Sequence, residues 1–98
     1  MLRVIIERRI KPECIENYLE LIRSARKHAN HFDGFIAGEL LQEKDNSNLA
    51  VIISSWDDVK AWDNWFSSSE RLEIIDQMRP FLEDDERIII LENSNILG

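Results

Sequence analysis

Three tryptophans, Trp56, Trp62 and Trp65, fall within ten residues of one another. Large aromatic rings either pack a core or wall a flat apolar ligand. Trp62 shares helical spacing with Val59 and Phe66, which suits packing. Trp56 and Trp65 are the rings best placed to line a ligand space between helices and sheet. Tyr18 lies on another apolar helical stripe, where its hydroxyl needs a partner. These four side chains form the candidate substrate-binding set.

His28 and His31 are the two histidines of the chain. At i, i+3 spacing they can face one way on a helix. A metal needs further ligands, and Asp33 is the one nearby. The alternative is a solvated pair at a helix C-terminus, where the dipole favours cations. Either histidine can also serve as a general base, since imidazole titrates near neutral pH. Arg8 is the third catalytic candidate. Pointing toward the helices, it anchors a substrate oxyanion. Pointing to a rim, it pairs with Glu7 or Glu39. Cys14 opens a helix, yet nothing supports it as a nucleophile, and it reads as a small buried hydrophobe.

Asp57, Asp58, Asp63, Glu70, Glu73 and Asp76 spread over a solvated helical face and form no acid/base pair. With Gly34, Gly38 and Gly98 as the only glycines, there is no phosphate-cradling loop. No cofactor is expected.

The elements that must position these residues follow from hydrophobic periodicity. From Leu2 to Ile10 the chain alternates. Leu2, Val4, Ile6, Arg8 and Ile10 share one face, and Arg3, Ile5, Glu7 and Arg9 share the other. Pro12 and Glu13 then start a helix that runs to about His31, with Asp33-Gly34 as its stop. A second strand spans Phe35 to Glu43. Lys44 to Asn48 is a hairpin loop, and Leu49 to Ser55 a third strand. Ser55 is the expected cap of a helical region carrying Val59, Trp62, Trp65 and Phe66. After Ser67-Ser68-Ser69 a further stretch begins at Glu70, with Leu72, Ile75, Met78 and Leu82 inward and Pro80 near its end. Asp84-Asp85 turns into a fourth strand, Arg87 to Glu92, and 93–98 reads as a loose tail.

The order β-α-β-β-α-β predicts an α+β ferredoxin-like domain spanning 1–98, an antiparallel sheet with both helical layers on one face. The other face is then bare and apolar through Ile5, Ile52 or Ile53, and the run Ile88-Ile89-Ile90-Leu91. Such a face does not normally stay in water, so the expected partner is a second copy of the chain.

Twelve basic against nineteen acidic residues leave a net charge of −7 over 98 residues. That field repels phosphate backbones and anionic lipid. Arg23, Arg26 and Lys27 are the nearest approach to a basic patch and read as helix-end cations. Nucleic-acid and membrane partners are therefore not expected. A single cysteine and the absence of a signal-like start predict a cytoplasmic protein.

Several segments occur together in a familiar order. They are Val4 to Pro12, Tyr18-Leu19-Glu20-Leu21, Asp33-Gly34-Phe35, Ser54-Ser55-Trp56, and Trp62-Asp63-Asn64-Trp65 through Glu70-Arg71. From Val4 to about Leu91 the chain resembles the antibiotic biosynthesis monooxygenase (ABM) family of dimeric α+β barrel proteins. The resemblance implies a cofactor-independent monooxygenase of a small phenol, quinol or anthrone-like substrate, acting as a homodimer. A non-catalytic dimeric module for an apolar ligand is the alternative. Haem-degrading relatives use an Asn, a Trp and an iron-binding His. Arg8 stands at the Asn position, Trp65 matches the Trp, and the His position falls at about Ile75.

Overall fold

The alternation of the first strand is realised as β1 (Leu2–Arg9), whose buried side chains are Leu2, Val4, Ile6 and Arg8. The structure is a computed structural model, and residues 1–93 are described. The remaining elements are α1 (Ile15–Ala29), β2 (Phe35–Glu43), β3 (Asn46–Trp56), α2 (Val59–Phe66), α3 (Ser69–Met78) and β4 (Arg87–Glu92). Of the expected tail, 94–98 lies outside the described residues.

The strands form one antiparallel sheet in the order β2-β3-β1-β4. This is the ferredoxin-like arrangement predicted from the element order. Register fixes which side chains meet. Ile6 pairs with Ile52 and Ile88, and Ile5 with Ile53 and Ile89. Alternation therefore sends Ile52, Ile88 and Ile90 to the helical side, and Ile5, Ile53, Ile89 and Leu91 to the open side. Leu41 and Val51, paired with each other, extend the open apolar face. No helix among the described residues is long and apolar enough to cross a membrane.

Several boundaries differ from the expected ones. Pro12–Cys14 is a short 3-10 turn, and the α-helix begins at Ile15. The helix ends at Ala29, so His31 lies beyond it, its amide donating to the His28 carbonyl. The hairpin closes more tightly than Lys44 to Asn48, because Glu43 already pairs with Asn46. Ser55 does not cap α2. It stays in β3 opposite Arg3 and Ala37, and Asp58 caps the helix by accepting from the Ala61 amide at 2.9 Å. Ser68 caps α3 through the Arg71 amide. The inward stripe of α2 is Ala61, Trp62 and Trp65, while Val59 and Phe66 are exposed. On α3 the stripe is Arg71, Ile74, Ile75 and Met78, and Leu72 faces water.

The core has two parts. Leu2, Val4 and Ile6 pack with Ala29 and the three tryptophans at one end. Ile10, Tyr18 and Ala50 pack with Ile74, Ile75 and Met78 at the other. Gly34 joins the first part to the sheet. Its φ of +87° is left-handed, and its carbonyl accepts from the Asp57 amide at 2.8 Å. A Cβ there would collide with Ala61. Gly34→Ala therefore combines backbone strain with overpacking and is expected to destabilise the fold by about 2–4 kcal/mol. A urea unfolding curve with a lowered midpoint and unchanged slope checks this.

Candidate functional site

A cavity of about 100 Å³ lies where the two core clusters meet. It is open to solvent on one side, and its lining is mostly apolar. Trp56, Trp62 and Trp65 all border it. Strand β3 supplies Trp56, whose indole donates to Ser54 Oγ at 3.0 Å, two residues back on the same strand face. Helix α2 supplies the other two rings. Trp56 meets Trp62 edge to face, centroids 5.6 Å apart, and lies nearly parallel to Trp65 at 6.5 Å. Phe32 and Phe35 brace Trp65 and Trp56 from outside the cluster in T-shaped contacts of 5.0 and 5.1 Å. The rings are thus fixed by packing and by a satisfied N–H.

Beside these rings stands charge. Arg8 is 4% exposed and points toward the helices, which resolves the choice the sequence left open. Its partner is neither Glu7 nor Glu39. Arg8 Nε and Nη2 both reach Glu86 Oε2, at 2.9 and 2.7 Å, and Nη1 donates to the Tyr18 hydroxyl at 3.1 Å. Arg71, also 4% exposed, places Nη2 2.7 Å from Glu86 Oε1. Its guanidinium lies 4.7 Å from the Phe66 ring centroid and 5.9 Å from that of Trp62. One carboxylate thus bridges two buried cations that arrive from β1 and α3. Both arginines border the cavity.

The titration behaviour follows. Burial alone would raise the Glu86 pKa, but the Arg8 and Arg71 charges outweigh it and hold the carboxyl below its ordinary range. Burial lowers the Arg71 pKa, against the raising effect of Glu86. Burial raises that of Tyr18, partly offset by Arg8.

Of the residues singled out from the sequence, the fold gathers Arg8, Trp56, Trp62 and Trp65 around one space. Tyr18 is buried behind Arg8 and does not line the cavity. His28 and His31 are solvent-exposed and also lie outside its lining. Among the described residues no three His, Cys, Asp or Glu side chains group to hold a metal. Cys14 is half-buried against the second core cluster. Arg71 and Glu86 are the residues that sequence reasoning missed. Arg71 carried a signal, since it continues the i, i+3, i+4, i+7 stripe of Ile74, Ile75 and Met78. Glu86 sits in the acidic run Glu83-Asp84-Asp85-Glu86 and carried none.

The haem arrangement does not fit these residues. Ile75, at the iron-ligand position, is an apolar side chain bordering the cavity. The space is well below the roughly 300–1,000 Å³ typical of pockets for drug-sized ligands.

The chain matches the sequence profile of the antibiotic biosynthesis monooxygenase (ABM) family over residues 1–77. It belongs to that family. No curated protein matches it. Solved structures share its fold at low identity. An antibiotic biosynthesis monooxygenase superposes with a TM-score of 0.88 at 22% identity, covering 96% of this chain and 99% of that one. A protein from Methanosarcina mazei Go1 gives 0.90 at 22% identity, over 95% and 92%. A variant of SnoaB, a cofactor-independent oxygenase from Streptomyces nogalater, gives 0.85 at 15% identity, over 96% and 93%.

Removing the bridging carboxylate leaves two buried guanidiniums facing each other. Glu86→Gln is expected to cost roughly 3 kcal/mol, the low end for a broken buried ion pair because Glu86 keeps some water contact. The pH dependence has a defined sign. A depressed carboxyl pKa stabilises the fold above the unfolded value, about 4.3, and that contribution fades as pH falls through the folded value. Urea midpoints followed downward from neutral pH should drop for the wild type, and the drop should be shallower in Glu86→Gln.

Proposed function

We propose that the chain is a cofactor-independent monooxygenase acting on a small aromatic phenol or quinol. The observation that supports this reading is the cavity itself, lined by three tryptophans and two buried arginines. Its volume favours a single ring over an anthrone-sized substrate. An engineered apolar cavity of about 150 Å³ binds benzene, so one ring needs only modest opening here.

The chemistry follows from the charge. A phenolic hydroxyl beside the arginine pair ionises more readily, because positive charge favours its oxyanion. Neither His28 nor His31 borders the cavity, so the proton leaves through the open side to water. The electron-rich ring passes one electron to O2. The two radicals join in a carbon–oxygen bond, and the hydroperoxide loses water. One oxygen atom ends in the product and the other in water, with all four electrons supplied by the substrate. For a quinol the product is a hydroxyquinone.

The position of the histidines favours one second reading, a binding module that holds the same ring without turnover. Oxygen-electrode assays with quinols and anthrones in metal-free buffer separate the two. The oxygenase reading predicts uptake above background that is greatest with single-ring quinols and is reduced in Arg8→Met. Uptake at background across the whole panel would sink it.

We also propose that the chain works as a homodimer through the open sheet face. Ile5, Ile53, Ile89, Leu41, Val51 and Leu91 form its apolar strip, and Leu41 and Leu91 are more than two-fifths exposed. Sedimentation at micromolar concentration should return twice the chain mass, and Ile53→Lys should return the chain mass.

A further inference from the structure

The two cavity arginines differ in what they have left to offer. Every nitrogen of the Arg8 guanidinium already has a partner in Glu86 or Tyr18. Arg71 gives only Nη2 to Glu86. Among the described residues its Nε and Nη1 meet no acceptor. No buried side-chain nitrogen or oxygen among the described residues is left without a partner. Those two nitrogens therefore keep accessible surface, and the space Arg71 borders is the cavity.

The local charge points the same way. Arg8, Arg26, Arg71 and Glu39 border this space, and Glu86 pairs with Arg8 and Arg71 from outside its lining, so three positive charges meet two negative ones and one is uncompensated. Arg26 and Glu39 are solvent-exposed, whereas Arg8 and Arg71 are buried. The cavity is thus cationic in a chain whose net charge is −7. An unpaired charge removed from water is costly, and an incoming anion offsets that cost in a medium that screens poorly.

We propose that the cavity selects a monoanionic ring compound, and that Arg71 holds its anionic oxygen through the donors Glu86 does not use. This rests on the single-ring ligand proposed above. The ring lies against the tryptophans, and the oxygen, from a phenolate or a carboxylate, meets Arg71. Arg8 and Glu86 are positioning residues. They hold the Arg71 guanidinium from one side while Phe66 and Trp62 hold its flat face.

The test is ligand binding by calorimetry, with para-nitrophenolate, benzoate and neutral nitrobenzene as probes. The wild type should bind an anionic probe at least tenfold more tightly than nitrobenzene. If the phenolate is the preferred oxygen, the colour change of bound para-nitrophenol should move down by about one pH unit, the equivalent of a tenfold preference for the phenolate over its own neutral phenol. Preference for benzoate alone assigns the oxygen to a carboxylate. Arg71→Gln should abolish the charge preference while nitrobenzene still binds, and Arg71→Lys should keep part of it. Nitrobenzene binding as tightly as both anions overturns the proposal, with or without a foldable variant. So does a folded Arg71→Gln that keeps the preference. Failure of all three probes to bind overturns instead the ring-ligand reading beneath it. Oxygen uptake plays no part in this assay, so absence of turnover leaves the assignment of Arg71 standing.

Discussion

Glu86 lies between two guanidiniums, and much of the site depends on that contact. Arg8 arrives from the second strand of the sheet's interior, β1, and Arg71 from α3. Neither could be buried alone, because an isolated charge removed from water costs several kcal/mol even after relaxation. One carboxylate cannot neutralise both. The arrangement is therefore held together by attraction and left one charge positive. It ties β1 to α3, the helix in the connection from β3 to β4, beside the cavity where the two halves of the core meet.

The aromatic wall and the charged wall are built by different means. The tryptophans are placed by apolar packing, with Phe32 and Phe35 behind them and Ser54 accepting the Trp56 N–H. The arginines are placed by directional hydrogen bonds and, for Arg71, by stacking on aromatic faces. In both, the main groups are held by more than one contact: Trp56 by Ser54 and the neighbouring rings, Arg8 by Glu86 and Tyr18, Arg71 by Glu86 and Phe66. The small cavity thus combines apolar aromatic rings with two buried cations. The fold alone would not predict this, since the ferredoxin-like sheet hosts many chemistries.

The outer sheet face obeys simpler rules. Alternation along β1, β3 and β4 places isoleucines on both sides of the sheet, and among the described residues the helices cover one side. The same residues that make the core strands strongly β-forming leave an apolar surface outside.

Much of this was legible along the chain. Period-two alternation gave β1 and β4 nearly to the residue, and Phe35 to Glu43 matched β2, because strand patterns and turn residues are local properties. Helical stripes were read less well. Spacing alone turns Leu72 and Phe66 inward, yet a short helix has two adjacent stripes, and only packing chooses between them. Choosing the stripe through Arg71 would have exposed the second buried cation. What the sequence by itself determined is the order of elements, the family, the tryptophan cluster and the presence of an arginine on an apolar strand face. Only the tertiary structure decided that Arg8 points inward, that both histidines remain in water, and that Glu86 joins Arg8 to Arg71. Those partners are separated by 78 and 15 positions in the chain. An ion pair depends on distance in space, and no local pattern records it.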